Sequence, residues 1–81
     1  MNGHQTRCRA RVRQSIRAII ATVAAQHGLT EADIYVRDRS GPVSAARREA
    51  WTSAHAAGFS MAEIARVGGW NHSSVCHGVR Q

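Results

Sequence analysis

The sequence predicts an all-α fold, a compact helical bundle whose C-terminal end is two short helices meeting at a sharp turn. Three observations carry this. First, apolar residues recur at helical spacing over Val12, Ile16, Ile19, Ile20, Val23 and Ala24, one continuous stripe. Second, helix starts and stops punctuate the chain: Thr30 and Ser60 each stand three residues before an acid, Asp33 and Glu63, and Gly28 and Gly58 each follow an apolar-periodic run. Third, no segment alternates apolar and polar residues as a half-buried strand does, and no internal repeat or low-complexity tract appears.

The elements follow in order. Residues 1–11 form a basic arm in which Arg7, Arg9, Arg11 and, just beyond it, Arg13 alternate, a spacing that spreads charge around a helix instead of gathering it. The arm is expected to fray or extend, either along phosphates or as a solvated lead-in. The folded domain, residues 12–81, starts with the long apolar helix from Val12; His27 complements its dipole and Gly28 caps it. Thr30, Glu31 and Asp33 open a short second helix with Leu29, Ile34, Tyr35 and Val36 as its buried residues. Arg37 to Pro42 is a basic loop, bounded by a Gly and the single Pro of the chain. Pro42 in a first turn, or Ser44 as cap, begins a third helix to Ala57. Its apolar residues Val43, Ala46, Ala50, Trp51, Ala54 and Ala57 suit close packing, with Trp51 supplying most of the buried area and Arg47 and Arg48 on another side. Ser60 and Glu63 form a capping box with Phe59 stapled to Ile64, Gly68 and Gly69 make the sharp turn, and Asn71 caps a last helix through Val79.

Composition narrows the function. Eighty-one residues make one small domain with a modest core. Eleven Arg and no Lys against five acids leave a net charge of +6, which points to a polyanionic partner, although charge also serves solubility. With four aromatics and no basic groove alternating with them, a stacking platform for single strands is not expected. Cys8 and Cys76 read as free thiols. The pairs His4/Cys8 and His72/Cys76 each share a helix face, yet no Cys-x-x-Cys knuckle accompanies them, so no metal or cofactor is expected. No signal peptide and no apolar run near the ~20 residues that span a bilayer is present, which implies a cytoplasmic protein without a membrane partner. Enzymatic activity is not expected: His55 has no evident carboxylate to orient it, and no Ser or Cys sits in a nucleophile motif.

Counted from Met61, an apolar fourth residue (Ile64), Ala at the fifth (Ala65), Gly at the ninth (Gly69) and an apolar fifteenth (Val75) fit a DNA-binding helix-turn-helix. The stretch Gly68-Gly-Trp-Asn-His-Ser-Ser-Val-Cys-His-Gly78 resembles the signature of the C-terminal DNA-binding domain of the bacterial replication initiator DnaA, which reads Gly-Gly-Arg-Asp-His-Thr-Thr-Val-Leu-His-Ala. Ser60 to Ile64 and Arg37 to Ala54 resemble preceding parts of the same domain, so the likeness spans roughly residues 12–80.

That resemblance implies a Trp-repressor-like helical fold in which the last helix enters the major groove and the basic loop reaches the minor groove. It places Asn71, His72, Ser73 and Ser74 on bases and adjoining phosphates, and Arg39 in the minor groove. Arg37, Arg47, Arg48 and Ser60 are phosphate candidates, helped by free amides where the helices near Ser60 and Asn71 begin. His77 matches the second His of the signature and is assigned to packing or capping. Where the signature has an Arg able to fork onto guanine stands Trp70, Asp becomes Asn71 and both Thr become Ser, so a different base preference is expected. Trp70 either packs under the turn or lies along sugars and thymine methyls. No Gly-x-x-x-x-Gly-Lys-Thr loop exists, so ATP-driven assembly is not expected.

The expected function is a free-standing, sequence-specific double-stranded-DNA-binding protein. It would regulate transcription or replication alongside that machinery, as a monomer or weak dimer encoded by a phage or other mobile element. The competing readings are the DNA-recognition module of a packaging or recombination machine, such as a small terminase subunit, and a helical protein-interaction adaptor.

Overall fold

The structure, a computed structural model, describes residues 9–36 and 41–80. Among them are five α-helices and no strand: α1 (Arg9–Gln26), α2 (Glu31–Tyr35), α3 (Gly41–Ala56), α4 (Met61–Gly68) and α5 (His72–Arg80). The all-α bundle read from the sequence is the fold observed.

Helix α1 begins at Arg9, ahead of the apolar stripe, so residues 9–11 of the expected arm are helical and not extended. Arginine loses little rotamer freedom in a helix, and alternating charges do not stop one. Residues 1–8, including Arg7 and the His4/Cys8 pair, lie outside the described residues. The stripe does what its period requires: Ile16, Ile20 and Ala24 are fully buried and Val23 nearly so, with Val12 and Ile19 packed beside them. Gly28 takes a φ of 72°, which lets the chain fold back so that Leu29 N bonds Ala24 O at 2.8 Å and Gly28 N bonds Ala25 O at 3.0 Å. His27, expected to act on the dipole, reaches across to Glu49 of α3 at 2.9 Å.

Helix α2 is only five residues long, and its capping box holds it. Thr30 Oγ1 accepts from Asp33 N at 3.2 Å and Asp33 Oδ2 accepts from Thr30 N at 2.9 Å. Ile34 is fully buried and Tyr35 half-buried. Val36 corrects the expectation: its backbone turns extended at the C-cap, which swings the side chain out to 51% exposure. Helix α3 starts at Gly41, so Pro42 sits in the first turn and Ser44 is inside the helix, not its cap. Val43, Ala46, Ala50, Trp51 and Ala54 are buried on one face. Ala57 is past the helix end and exposed, contrary to its assignment to that face.

Helix α4 is closed at both ends. The Ser60/Glu63 box secures the first turn, and Gly69, at φ 68°, reverses the chain so that Trp70 N bonds Ala65 O at 2.9 Å. Helices α1, α2, α4 and α5 all pack on α3 or α1, around Ile16, Ile20, Ile34, Ile64 and Val75, each of which is fully buried. At about 2 to 5 kcal/mol for truncating one such residue to Ala, any single loss would take a large share of a small domain's stability.

Candidate nucleic-acid interface

Helix α5 is amphipathic over nine residues, and its two faces divide the work. Val75 and Gly78 are buried against the bundle, while Asn71, His72, Ser73 and Ser74 at its start are all exposed. The close seat on α3 comes from Gly78: a Cβ there would stand 2.6 Å from Trp51 Cε3 and 2.7 Å from Cζ3, so only a residue without a side chain fits. Asn71 Oδ1 accepts the amide of Ser73 at 2.8 Å, the N-cap bond its position predicts. That bond leaves the Asn71 amide nitrogen to face a partner as a donor. The His72 ring lies along the helix against Cys76 Sγ, at 3.6 Å from Nδ1 and 3.8 Å from Nε2. Among the described residues no three His, Cys, Asp or Glu gather as a metal site.

Trp70, which replaces the expected guanine-reading Arg, is built into the turn. Its ring stacks on Tyr35 at 5.8 Å and 28° and meets Trp51 edge-on at 5.4 Å and 70°. A Cβ on Gly68 would be 2.6 Å from each of Trp70 Cε2, Cε3 and Cη2, alternate atoms of the six-membered ring, so the indole lies flat over that glycine. Gly68 therefore serves close approach, and the freedom to turn belongs to Gly69. Of the two expectations for Trp70, packing under the turn is the one observed.

Beside the start of α5 is a cleft of about 530 Å³ lined by Val36, Arg47, Trp51, Gly69, Trp70, Asn71 and Ser74. Arg47, expected on phosphates, instead donates Nε to Ile34 O at 3.0 Å and Nη2 to Val36 O at 2.6 Å. A guanidinium there satisfies carbonyls at the end of α2, where the helix leaves them without partners and the dipole is negative. It pins the point from which residues 37–40 depart; Arg37 and Arg39 themselves lie outside the described residues. Arg48 is exposed on α3, its Cγ 3.4 Å from the position of a Cβ on Gly78, and so flanks α5. At Ser60 the open amides expected for a phosphate are partly taken. Ser60 N donates to Glu63 Oε1 at 2.8 Å and Glu63 N to Ser60 Oγ at 3.1 Å. His77 is exposed in the last turn of α5, and His55 Nδ1 lies 3.2 Å from Phe59 O.

Sequence reasoning missed a network behind the turn. Glu31 Oε2 accepts Arg17 Nε at 2.8 Å and the Tyr35 hydroxyl at 2.5 Å. The bonds from Arg17 and Tyr35 hold the Glu31 carboxyl below its ordinary range. Burial, followed by the bond to Glu31, pushes the Tyr35 phenol up from 10.0 to about 12. The four-residue spacing of Glu31 and Tyr35 was a legible signal, but nothing in the sequence joined Arg17 to them.

A family model described as the bacterial dnaA protein helix-turn-helix matches residues 16–81. No curated protein and no solved structure matches the chain.

Proposed function

The chain belongs to the bacterial DnaA helix-turn-helix family, a DNA-binding one, and from that premise we propose that it recognises a short double-stranded DNA site and regulates transcription or replication by occupying it. Helix α5 enters the major groove by its N-terminal turn, with Asn71, His72, Ser73 and Ser74 toward base edges and the nearest phosphates. The Asn71 amide donates to an acceptor such as guanine O6 or thymine O4, His72 offers a ring nitrogen in either role, and the serines bond phosphate or meet a thymine methyl. Arg39 enters the adjacent minor groove, and Arg37 and Arg48 take phosphates. Arg47 acts at one remove, by fixing where that loop begins. With Trp70 packed inward, no guanidinium at its position selects guanine, so the preferred site differs from one read by the family signature.

The observation that carries this reading is the division of α5: four short polar side chains exposed in its first turn, above a face seated tightly on Trp51. A helix so held presents its amino end rigidly, as base reading requires. No membrane partner is proposed; no helix among the described residues is long and apolar enough to cross a membrane. The test is selection of bound duplexes from a random pool, followed by variants on the best site. His72→Ala and Arg39→Ala should each cost about 1 to 3 kcal/mol of binding, whereas Arg48→Ala should weaken all duplexes alike. Equal affinity of His72→Ala and the wild type for the best site would refute base reading by α5.

A further inference from the structure

A second cationic feature borders Tyr35 and Gly68. Arg13 and Arg17, one turn apart on α1, and Arg66, in the last turn of α4, surround a cleft of about 360 Å³ whose remaining lining is Tyr35, Val67 and Gly68. Three arginines from two helices thus line one cleft, with no acid among its lining residues. Glu31, outside the lining, accepts from Arg17 at 2.8 Å and from the Tyr35 hydroxyl, while Arg13 and Arg66 are exposed. Position at a helix C-terminus accounts for Arg66 alone, since cations are favoured there. Glu31 accounts for Arg17; neither accounts for Arg13 at the same cleft, where like charges repel unless a further anion offsets them.

We propose that this arginine cleft binds backbone phosphate of the same duplex that α5 reads, outside the base-read core. The inference rests on the DNA-binding reading above and extends its footprint. A phosphodiester is favoured over an acidic peptide for two reasons. The cleft borders both segments assigned to DNA: Tyr35 is two residues before Arg37, and Gly68 leads into the turn before Asn71. Its donors are all guanidinium forks, which match two phosphate oxygens at once. Recognition and anchoring are then separate sets of residues, the first turn of α5 and an arginine clamp formed by α1 and α4.

The test uses the full chain and its Arg13→Gln/Arg66→Gln double variant, whose exposed positions should leave the unfolding midpoint unchanged. Both proteins are titrated, over a range of salt, with the selected duplex in two forms: cut to its base-read core, and extended by one helical turn, about 10 bp, on either side. The double variant should bind the extended form roughly tenfold more weakly or worse, with a log K against log salt slope shallower by about 2, and should match the wild type on the core alone. An unchanged slope and affinity on the extended duplex would overturn the clamp while leaving base reading intact. So would an equal loss on both forms, which marks a general loss of charge. Perturbation of the Tyr35 and Gly68 amides by a poly-glutamate peptide and not by the extended duplex would assign the cleft to an acidic protein and overturn it too. A wild-type chain that binds neither duplex sinks the DNA reading and this inference together.

Discussion

Replacing Gly78 by Ala probes the contact on which the reading helix depends. The new methyl carbon would lie 2.6 and 2.7 Å from Trp51 Cε3 and Cζ3, roughly 1 Å inside ordinary carbon–carbon contact. Trp51 is 6% exposed and braced edge-on by Trp70 at 5.4 Å, so the ring has nowhere to yield and α5 must lift off α3 instead. Overpacking of this kind costs about 1 to 3 kcal/mol, against which Ala returns up to about 1 kcal/mol of helix propensity. The net expectation is a loss of about 1 to 2 kcal/mol, or roughly 5 to 15 °C in midpoint for a domain of this size. Urea and thermal unfolding followed by circular dichroism would measure it, with an unchanged m-value showing that the native fold is retained. In a Trp51→Met background the obstruction is gone, and the same substitution should become neutral or stabilising, a coupling of at least about 1 kcal/mol. Gly78→Ala at or above wild-type stability would refute the tight α3–α5 seat.

Other perturbations test other joints. Arg47→Met removes two bonds to the carbonyls of Ile34 and Val36 and should cost about 1 to 3 kcal/mol of stability; Arg47→Lys should recover little, because an ammonium lacks the fork. Unchanged stability in both would return Arg47 to a purely DNA-facing role. Ser60→Ala opens the α4 capping box and should lose about 1 kcal/mol in the same unfolding assay, and Thr30→Ala should do likewise at α2. The phenol of Tyr35 holds its proton to about pH 12 when folded but only to about 10.0 when unfolded, so it contributes stability that is whole below pH 10 and drains away between 10 and 12. Unfolding at a series of alkaline pH values should show that decline, and Tyr35→Phe, which keeps the ring, should flatten it. Glu31 has the opposite sign: with its carboxyl held low, its contribution is present above the ordinary carboxylate range and is lost as the pH falls through the folded value. Glu31→Gln should therefore shallow the acid limb of the same curve.

What the chain's own order of residues determined was everything that depends on neighbours within a few positions. The apolar stripe of α1, the boxes at Thr30 and Ser60, the stop at Gly28 and the cap at Asn71 are local contests between a side chain and the nearest backbone groups, and each is found as the spacing demands. The helix-turn-helix was legible for the same reason, since its small residue, its glycine and its two apolar residues lie close together in one segment. What only the tertiary structure decided involves partners far apart in the chain. Arg47 of α3 bonds the carbonyls of Ile34 and Val36 at the end of α2, and His27 at the end of α1 reaches Glu49 of α3. Gly78 lies against Trp51, twenty-seven positions away. The convergence of Arg13, Arg17 and Arg66 belongs to the same class. Burial and charge are sums over whatever the fold brings near, and a periodicity of three or four residues carries no record of that sum.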